Sequence, residues 1–281
     1  MTATATLLIT CPDRPGLVAR TAEFVAARGG NIVHADQHID HSTGLFLMRL
    51  EWQLDGFALP RDGIAAAFAP LGEQLAARWR LHFSDEVRRM AVFVSRQPHC
   101  LADLALRQRG GELRCTIPVV ISNHPDLEPT SHDLGLEFRH VPTTTDGAHE
   151  RVQLDLLHEL GVDVVVLAKY MQVLSSGFLE QFPEIINIHH SFLPAFSGAN
   201  PYRQAHERGV KIIGATGHYV TAELDAGPII EQDTVRVSHR DSVEDLVRKG
   251  RDLERVVLAR AVRMHLENRV IVHGNRTSVF D

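Results

Sequence analysis

The sequence predicts an α/β protein with two domains, a small α+β unit followed by a larger unit built on a mostly parallel sheet. Its 281 residues exceed the usual size of one compact core. After the polar stretch SDEVRRM, strand and helix patterns alternate along the chain. Unbroken apolar runs such as residues 164–168 are typical of strands covered on both faces. We therefore place the domains at residues 1–84 and 85–281.

The first domain is predicted to be a βαββαβ unit, a ferredoxin-like sheet with its helices on one face. ATLLITC has a strand pattern, and the helix after it has Asp13 as candidate N-cap, Pro15 in its first turn and Gly29 and Gly30 at its end. NIVHADQHID and GLFLMRLEW then predict a hairpin around HSTG. GIAAAFAPLGEQLA and RWRLHFS predict a second helix and a last strand.

The second domain contains two groups of predicted strands. The first group is RMAVFVS, RCTIPVVIS, EFRHVP, DVVVLAKY and EIINIHH, with helices at about 99–109, 148–160 and 176–182 between them. The second group is KIIGATGHYVT and PIIEQDTVRV, joined through AELDAG. A final helix, roughly 241–268, carries an apolar stripe. This order favours a doubly wound sheet with ligands beyond the carboxyl ends of its strands.

Composition and charge exclude several classes of protein. The formal net charge of −6 argues against a nucleic-acid binder, and no apolar run reaches the 18 or more residues of a membrane span. The first residues lack a basic region and soon reach Pro12 and Pro15, so we expect no signal peptide. The scattered Cys11, Cys100 and Cys115 fit neither a disulfide framework nor a thiolate metal site. We expect a cytoplasmic protein with reduced, buried thiols.

The stretch IINIHHSFL places polar groups at the end of a predicted core strand. Side chains alternate along a strand, so Asn187 and His189 share one face, roughly 6.6 Å apart along the axis, while His190 points the other way. An amide can stabilise an oxyanion and an imidazole can move a proton, which suits attack on a carbonyl. The alternative is a pair of polar residues that satisfies local backbone groups at a strand end.

A second pair, His218 and Asp225, spans a predicted strand end and turn that Gly227 and Pro228 punctuate. The carboxylate there could orient an imidazole, fix its tautomer or bind a reacting water. The alternative is a turn aspartate that bonds its own backbone, which is a common use of Asp in such loops.

Three other kinds of site are not expected. Adjacent histidines on a strand face opposite ways and no helical H-x-x-x-H pair is present, so we predict no metal site at His189, His190, His218 and Asp225. Cys100 beside His99 is predicted to be a buried helical cysteine, because sequence neighbours rarely form a nucleophile pair. The first strand of the large domain is followed by SRQPHC instead of G-x-G-x-x-G, so no backbone cradle for a phosphate is expected.

Long strings of the sequence resemble a known family. NIHHSFLPAFSGANPYRQAHERGVKIIGATGHYV and ELDAGPIIEQ are similar to the formyltetrahydrofolate-dependent hydrolases and transferases. TCPDRPGLVA with GGNI resembles the start of their ACT domain. With VISNHPDL, GVDVVVLAKYMQVLS, GRDLERVVLARAV and GNRTSVF, the chain as a whole resembles the formyltetrahydrofolate deformylase family. The resemblance implies an ACT domain at 1–84 and a Rossmann-like formyltransferase domain at 85–281.

The resemblance also implies an activity and its residues. The activity is hydrolysis of 10-formyltetrahydrofolate to formate and tetrahydrofolate, which supplies formate for purine synthesis and balances the folate pool, with no cofactor. The implied catalytic residues are Asn187, His189 and Asp225. The implied substrate-binding residues are Met171, Gln172, Val173, Leu174, Gly198, Thr216 and His218. The implied effector site for an amino acid on the ACT domain comprises Asp13, Gly16, Leu17 and Asn31.

Several alternatives stay open within this reading. The related glycinamide ribonucleotide formyltransferases share N-x-H and the distal aspartate but carry a glycine-rich phosphate loop, whose absence here favours water as acceptor. A non-enzymatic folate or amino-acid sensor is the other rival. The ACT domain either binds an effector or only builds a homo-oligomer, a dimer or tetramer. Ser197, Asn200 and Gly217 depart from the pattern expected of the deformylases, where proline, lysine and alanine are usual.

Overall fold

The computed structural model describes residues 2–194 and 201–281 of the chain. Contacts divide it into two units. One comprises the residues up to Glu86 together with Glu267–Asp281, and the other comprises Val87–Leu266. Within the described ranges, none of the helices combines the length and the apolar character that a membrane crossing needs.

The first unit begins with the βαββαβ order that the sequence predicts. Its elements are β1 (Thr4–Pro12), α1 (Leu17–Ala26), β2 (Ile32–Asp40), β3 (Leu45–Gln53), α2 (Arg61–Leu75) and β4 (Arg78–Phe83). The four strands form an antiparallel sheet in the order β2-β3-β1-β4. Alternate residues of β1, among them Leu7 and Ile9, pack with Phe24 of α1 and Phe68 of α2 to form the core on one face.

The start of α1 differs from the prediction. The helix begins at Leu17, and its N-cap is Gly16 with φ 88°, a left-handed conformation that glycine adopts without strain. Asp13 is not the N-cap, because its backbone N–H still extends the sheet by bonding the carbonyl of Gly44 at 2.9 Å. The predicted glycine stop is confirmed, since Gly29 follows the helix with φ 73°.

The second unit contains the alternating strands and helices. They are β5 (Arg88–Val94), α3 (His99–Arg109), β6 (Cys115–Thr116), β7 (Val120–Ser122), α4 (Glu128–Asp133), β8 (Phe138–His140), α5 (Ala148–Glu159), β9 (Val164–Leu167), α6 (Ser176–Gln181), β10 (Ile185–His189), α7 (Pro201–Arg208), β11 (Ile212–Tyr219), β12 (Ile229–Arg236) and α8 (Val243–Leu266). The segment RCTIPVVIS, predicted as one strand, forms two, because Pro118 between β6 and β7 has no N–H for a ladder bond.

The sheet of the second unit is mostly parallel, as predicted. Its order is β12-β11-β10-β9-β5-β7-β8, with β6 paired to β5 off this path. Neighbours from β10 through β9, β5 and β7 to β8 run parallel. The two strands at the other end, β11 and β12, are antiparallel to their neighbours. The carboxyl ends of β5, β9 and β10 therefore meet at one edge of the sheet.

Both faces of this sheet are covered. On one face Phe93, Leu167 and Ile185 pack with Leu157 of α5 and Phe178 of α6. On the other face α8 packs against β10, β11 and β12. The approach of α8 to β11 is close, since a Cβ at Gly217 would lie 2.8 Å from the Cβ of Ala261.

The last residues form a hairpin, β13 (Val270–His273) and β14 (Arg276–Val279), that belongs to the first unit. Ile271 and Phe280 are buried against Leu8 and Leu47, which lie on the sheet face away from α1 and α2. The predicted boundary at residue 84 assigns this segment to the second domain. The structure places it elsewhere because the first sheet has a second apolar face to bury.

Candidate active site

The end of β10 holds Asn187 and His189 on one face, at the edge where the parallel strands end. Asn187 pairs with His218 across the ladder and His189 pairs with Thr216, so all four side chains share a face. Paired Ile188 and Gly217 belong to the opposite face, which α8 covers. This is the alternation that the sequence analysis predicted for Asn187 and His189.

Asp225 reaches the same place from the turn between β11 and β12. Its Oδ2 lies 3.2 Å from Nδ1 of His189. The backbone of Asp225 is left-handed, with φ 54°, a conformation that aspartate tolerates better than most residues. The hydrogen bond from His189 lowers the pKa of Asp225 against the opposing effect of partial burial, so the carboxylate is ionised at neutral pH.

The contact with Asp225 sets the roles of the two imidazole nitrogens of His189. Nδ1 carries the hydrogen, because its partner is an ionised carboxylate that can only accept. Nε2 is buried, and among residues 2–194 and 201–281 it has no hydrogen-bond partner. A buried imidazole nitrogen with a free lone pair is expensive to maintain, which indicates a position built for a ligand or a reacting proton.

His218 orients the amide of Asn187. Nδ1 of His218 donates to the carbonyl of Tyr219 at 2.9 Å, so Nε2 accepts from Nδ2 of Asn187 at 3.2 Å. Burial lowers the pKa of His218 and keeps the ring neutral, which this arrangement requires. One N–H of the Asn187 amide is thereby fixed, and the amide has a second N–H that can donate to another acceptor.

His190 lies apart from this arrangement. The centroid of its ring lies 6.1 Å from that of Tyr202 and 5.0 Å from that of His189. Burial, followed by the charge of Lys169, lowers the pKa of His190 to about 4, so it is neutral at physiological pH.

The predicted substrate-binding residues occupy different environments. Met171 and Val173 are exposed, and Gln172 is half-buried, on the loop after β9. Leu174 is buried in the apolar core, so its side chain faces away from solvent. The hydroxyl of Thr216 is already occupied, since it donates to the carbonyl of Ser191 and accepts from Leu193 N and Gln232 Nε2. It therefore fixes the chain that follows β10. Gly198, Ser197 and Asn200 lie outside the described residues.

The predicted effector residues lie around the start of α1. Gly16 caps α1 without a side-chain bond, which leaves the first N–H groups of the helix without a side-chain acceptor. Asp13 is exposed, and Leu17 is buried in the core of the first unit. The side chain of Asn31 donates to Oε1 of Gln53 at 3.0 Å, so it already has a partner at the end of β3.

Two residues beside the site, Ser95 and Glu254, were not predicted from the sequence. Ser95, at the end of β5, accepts from the backbone N–H of Met171 at 3.0 Å. Glu254 of α8 binds His99, Lys169 and Tyr202. A carboxylate within the apolar stripe of the last helix, one turn after Gly250, is the sequence signal that could have indicated this cluster.

The cysteine prediction is confirmed. Cys100 is buried in α3, and burial raises the pKa of its thiol well above the ordinary value. His99, Cys100 and Glu254 offer ligand atoms within 4.8 Å of one another. Lys169 already supplies a positive charge to that carboxylate, so a cation would compete with it.

Comparisons with known proteins find matches to both domains of the chain. A family model described as formyl transferase matches residues 88–262, and an ACT domain model matches residues 5–71. A formyltetrahydrofolate deformylase from Synechocystis sp. is 62% identical over 99% of this chain and 98% of that protein. A crystal structure of a formyltetrahydrofolate deformylase from Pseudomonas syringae pv. tomato superimposes with a TM-score of 0.97, at 48% identity, covering 100% of this chain and 95% of that chain. A glycinamide ribonucleotide transformylase from Symbiobacterium toebii aligns with a TM-score of 0.66 at 35% identity, covering 72% of this chain and 98% of that chain.

Proposed function

Because the chain belongs to the formyltetrahydrofolate deformylase family, we propose that it hydrolyses 10-formyltetrahydrofolate to formate and tetrahydrofolate. The observation that carries the proposal is the arrangement of His189: Nδ1 bonds Asp225, Nε2 has no partner among the described residues, and Asn187 lies on the same sheet face. A proton acceptor next to an oxyanion donor is what attack of water on a formyl carbon requires.

The reaction proceeds through a tetrahedral intermediate. Water attacks the formyl carbon and gives a proton to Nε2 of His189, and Asp225 stabilises the imidazolium through the Nδ1–H bond. The second N–H of Asn187 donates to the oxyanion that forms. His189 then returns its proton to the folate nitrogen, the C–N bond breaks, and formate and tetrahydrofolate leave. Folate and water are the only reactants in this scheme.

Transfer to a nucleotide amine is the main alternative. The Symbiobacterium toebii transformylase shares the fold of the second unit but leaves more than a quarter of this chain unmatched. The segment after β5 here is Ser95–Arg96–Gln97–Pro98, with no glycine to bring backbone N–H groups onto a phosphate. These differences favour water as the acceptor.

One assay separates the two reactions. Purified protein is incubated with 10-formyltetrahydrofolate, with and without glycinamide ribonucleotide, and formate is measured. Equal formate release in both conditions supports hydrolysis. Formylated nucleotide in place of formate would establish a transferase, and neither product would contradict both.

We also propose that the ACT domain binds an amino acid at the start of α1 and pairs with a second copy of the chain. Gly16 leaves the first-turn N–H groups of α1 without a side-chain cap, and the helix dipole adds positive potential for a carboxylate there. Asn31 contributes only if it exchanges its bond with Gln53.

Calorimetry of the full chain against glycine, methionine and serine tests effector binding. The full chain is needed because the C-terminal hairpin completes the first unit. Heat from one amino acid that disappears in Gly16→Val supports the site. No heat from any of them would leave the ACT domain with oligomer formation alone, which light scattering measures independently.

A further inference from the structure

Glu254 is a buried carboxylate outside the Asn187–His189–Asp225 arrangement. It is 1% exposed, on the face of α8 that packs on the sheet. Its Oε2 lies 2.7 Å from Nε2 of His99, and its Oε1 accepts from the hydroxyl of Tyr202 at 2.7 Å and from Nζ of Lys169 at 3.3 Å. We call these four residues the Glu254 cluster. A buried carboxylate held by three partners is costly to assemble and requires a reason.

The cluster joins three segments at the strand ends. His99 is the first residue of α3, after β5, and Lys169 follows β9. Tyr202 lies in α7, the first helix after β10. Glu254 thus holds the chain after each of the three strands that end nearest the site. No pair of these segments is adjacent in sequence, so a bond to α8 is a direct way to set their relative positions.

Lys169 connects the cluster to the catalytic strand. Leu167 of β9 pairs with Asn187 of β10, and His189 lies two residues after Asn187 on β10. Lys169 lies two residues after Leu167, just beyond the end of β9, so it follows the strand that pairs with the catalytic strand. Lys169 also begins residues 169–175, the segment after β9 that contains the predicted substrate-binding residues Met171, Gln172, Val173 and Leu174.

Two backbone features show that the cluster is built at a cost. Lys169 has φ 65°, a left-handed conformation that is strained for a residue with a side chain. The turn takes its side chain to α8, away from the face on which Leu167 packs. On α8, a Cβ at Gly250 would lie 2.0 Å from the hydroxyl of Tyr202, so only glycine there lets the tyrosine reach Glu254.

The carboxylate of Glu254 stays ionised. Burial alone would raise its pKa, but the bonds from His99 and Tyr202 and the charge of Lys169 together lower the pKa to about 2. The carboxylate of Glu254 is therefore ionised at neutral pH, in contact with Nζ of Lys169 at 3.3 Å.

We propose that Glu254 is a positioning residue that holds residues 169–175 in place for substrate binding through its ion pair with Lys169. The proposal rests on the proposed function, since the ligand of that loop is the folate substrate. Glu254 does not touch the reacting atoms. Its loss therefore weakens substrate binding and leaves the chemistry at His189 largely intact.

Glu254→Gln is the primary test. Glutamine keeps an oxygen for Tyr202 and an amide for His99 but removes the charge that Lys169 needs. We expect KM for 10-formyltetrahydrofolate to rise about tenfold with kcat changed less than about twofold, the pattern of lost binding that is uniform between ground and transition states. Amide hydrogen exchange of residues 169–175 should become faster in the same variant. Asp252→Asn, which removes an exposed partner of Arg255 on the same helix, is the matched control and should change neither.

A second variant separates positioning from stability. Lys169→Met with Glu254→Gln leaves no unpaired buried charge, so it should unfold at a temperature closer to wild type than Lys169→Met alone. The double variant should nevertheless keep the raised KM and the faster exchange. A double variant that regains the wild-type KM together with its stability would overturn the proposal. A fall in kcat at unchanged KM in Glu254→Gln would also overturn it. Wild-type formate release is measured first, so failure of the proposed hydrolysis is seen independently of these comparisons.

Discussion

At the scale of single residues, the site depends on hydrogen-bond partners that each fix which nitrogen of an imidazole carries the hydrogen. Asp225 places the hydrogen of His189 on Nδ1, and the carbonyl of Tyr219 places that of His218 on its own Nδ1. Among the described residues, Nε2 of His189 then has no hydrogen-bond partner, and Nε2 of His218 accepts from the amide of Asn187. Two imidazoles on the same sheet face therefore have different roles.

Asp225→Asn should reduce kcat for formate release by a factor of about 10²–10⁴, the usual value of a positioned acid–base group. The new amide can donate to Nδ1 of His189, which moves the hydrogen to Nε2 and removes the proton acceptor. Steady-state kinetics with 10-formyltetrahydrofolate measure the effect. Glu223→Gln, an exposed change in the same turn, is the control, and near-normal turnover in Asp225→Asn would contradict the assigned role.

Gly217→Ala should destabilise the protein by about 1–3 kcal/mol, although alanine is the residue expected there. The added Cβ would lie 2.8 Å from the Cβ of Ala261, and both sit on rigid elements. Chemical denaturation measures the loss. Adding Ala261→Gly should restore part of the stability, and a double variant less stable than Gly217→Ala would contradict the steric explanation.

At the scale of elements, the connection between β11 and β12 is what delivers Asp225. The N–H of Tyr219 bonds the carbonyl of Pro228 at 2.9 Å and closes the connection at its base. Gly227 lies against this closure, where an added Cβ would be 1.8 Å from the carbonyl oxygen of Tyr219. The position of the carboxylate thus depends on backbone contact that no side chain at 227 allows.

Gly227→Ala should therefore lower formate release at least about tenfold, because the turn must open and Asp225 moves from His189. A displacement of about 1 Å in a reacting group can cost about 10²-fold in rate. Gly177→Ala is the control, since a Cβ in α6 would meet only the hydroxyl of Ser175 at 3.8 Å. Full activity in Gly227→Ala would show that the turn tolerates the displacement.

At the scale of the whole molecule, the chain returns from the second unit to complete the first. β13 and β14 cover Leu8 and Leu47, which would otherwise face water on the sheet side opposite α1 and α2. The first unit is consequently built from both ends of the chain.

Phe280→Ala should cost about 3–5 kcal/mol of the first unit's stability, the usual range for a buried phenylalanine, since Phe280 is 2% exposed. Hydrogen exchange should then increase in β1 and β3. Val272→Ala, at a side chain that is 42% exposed in the same hairpin, is the control and should change exchange little. Unchanged protection of β1 in Phe280→Ala would show that the hairpin is not part of that core.

Much of the fold followed from local patterns. Helices at 99–109, 148–160 and 176–182 were predicted to within a residue of their observed ends, because apolar periodicity and caps are properties of neighbouring residues. The predicted N-cap of α1 and the prediction of RCTIPVVIS as one strand were wrong in detail. Each depends on which strand a backbone group pairs with.

The residues of the site were likewise predicted only in part from local patterns. Alternation along a strand put Asn187 and His189 on one face from sequence alone, since the period of two is a property of extended backbone. Local spacing could not identify the partner of His189. The family resemblance pointed to Asp225. Only the folded chain shows the 3.2 Å contact between Asp225 and His189, the tautomer of His218 and the lack of a partner for Nε2 of His189 among the described residues. The partners of Glu254 and the position of the C-terminal hairpin could not be predicted from local patterns, because the residues involved lie far apart in sequence and meet only through tertiary packing.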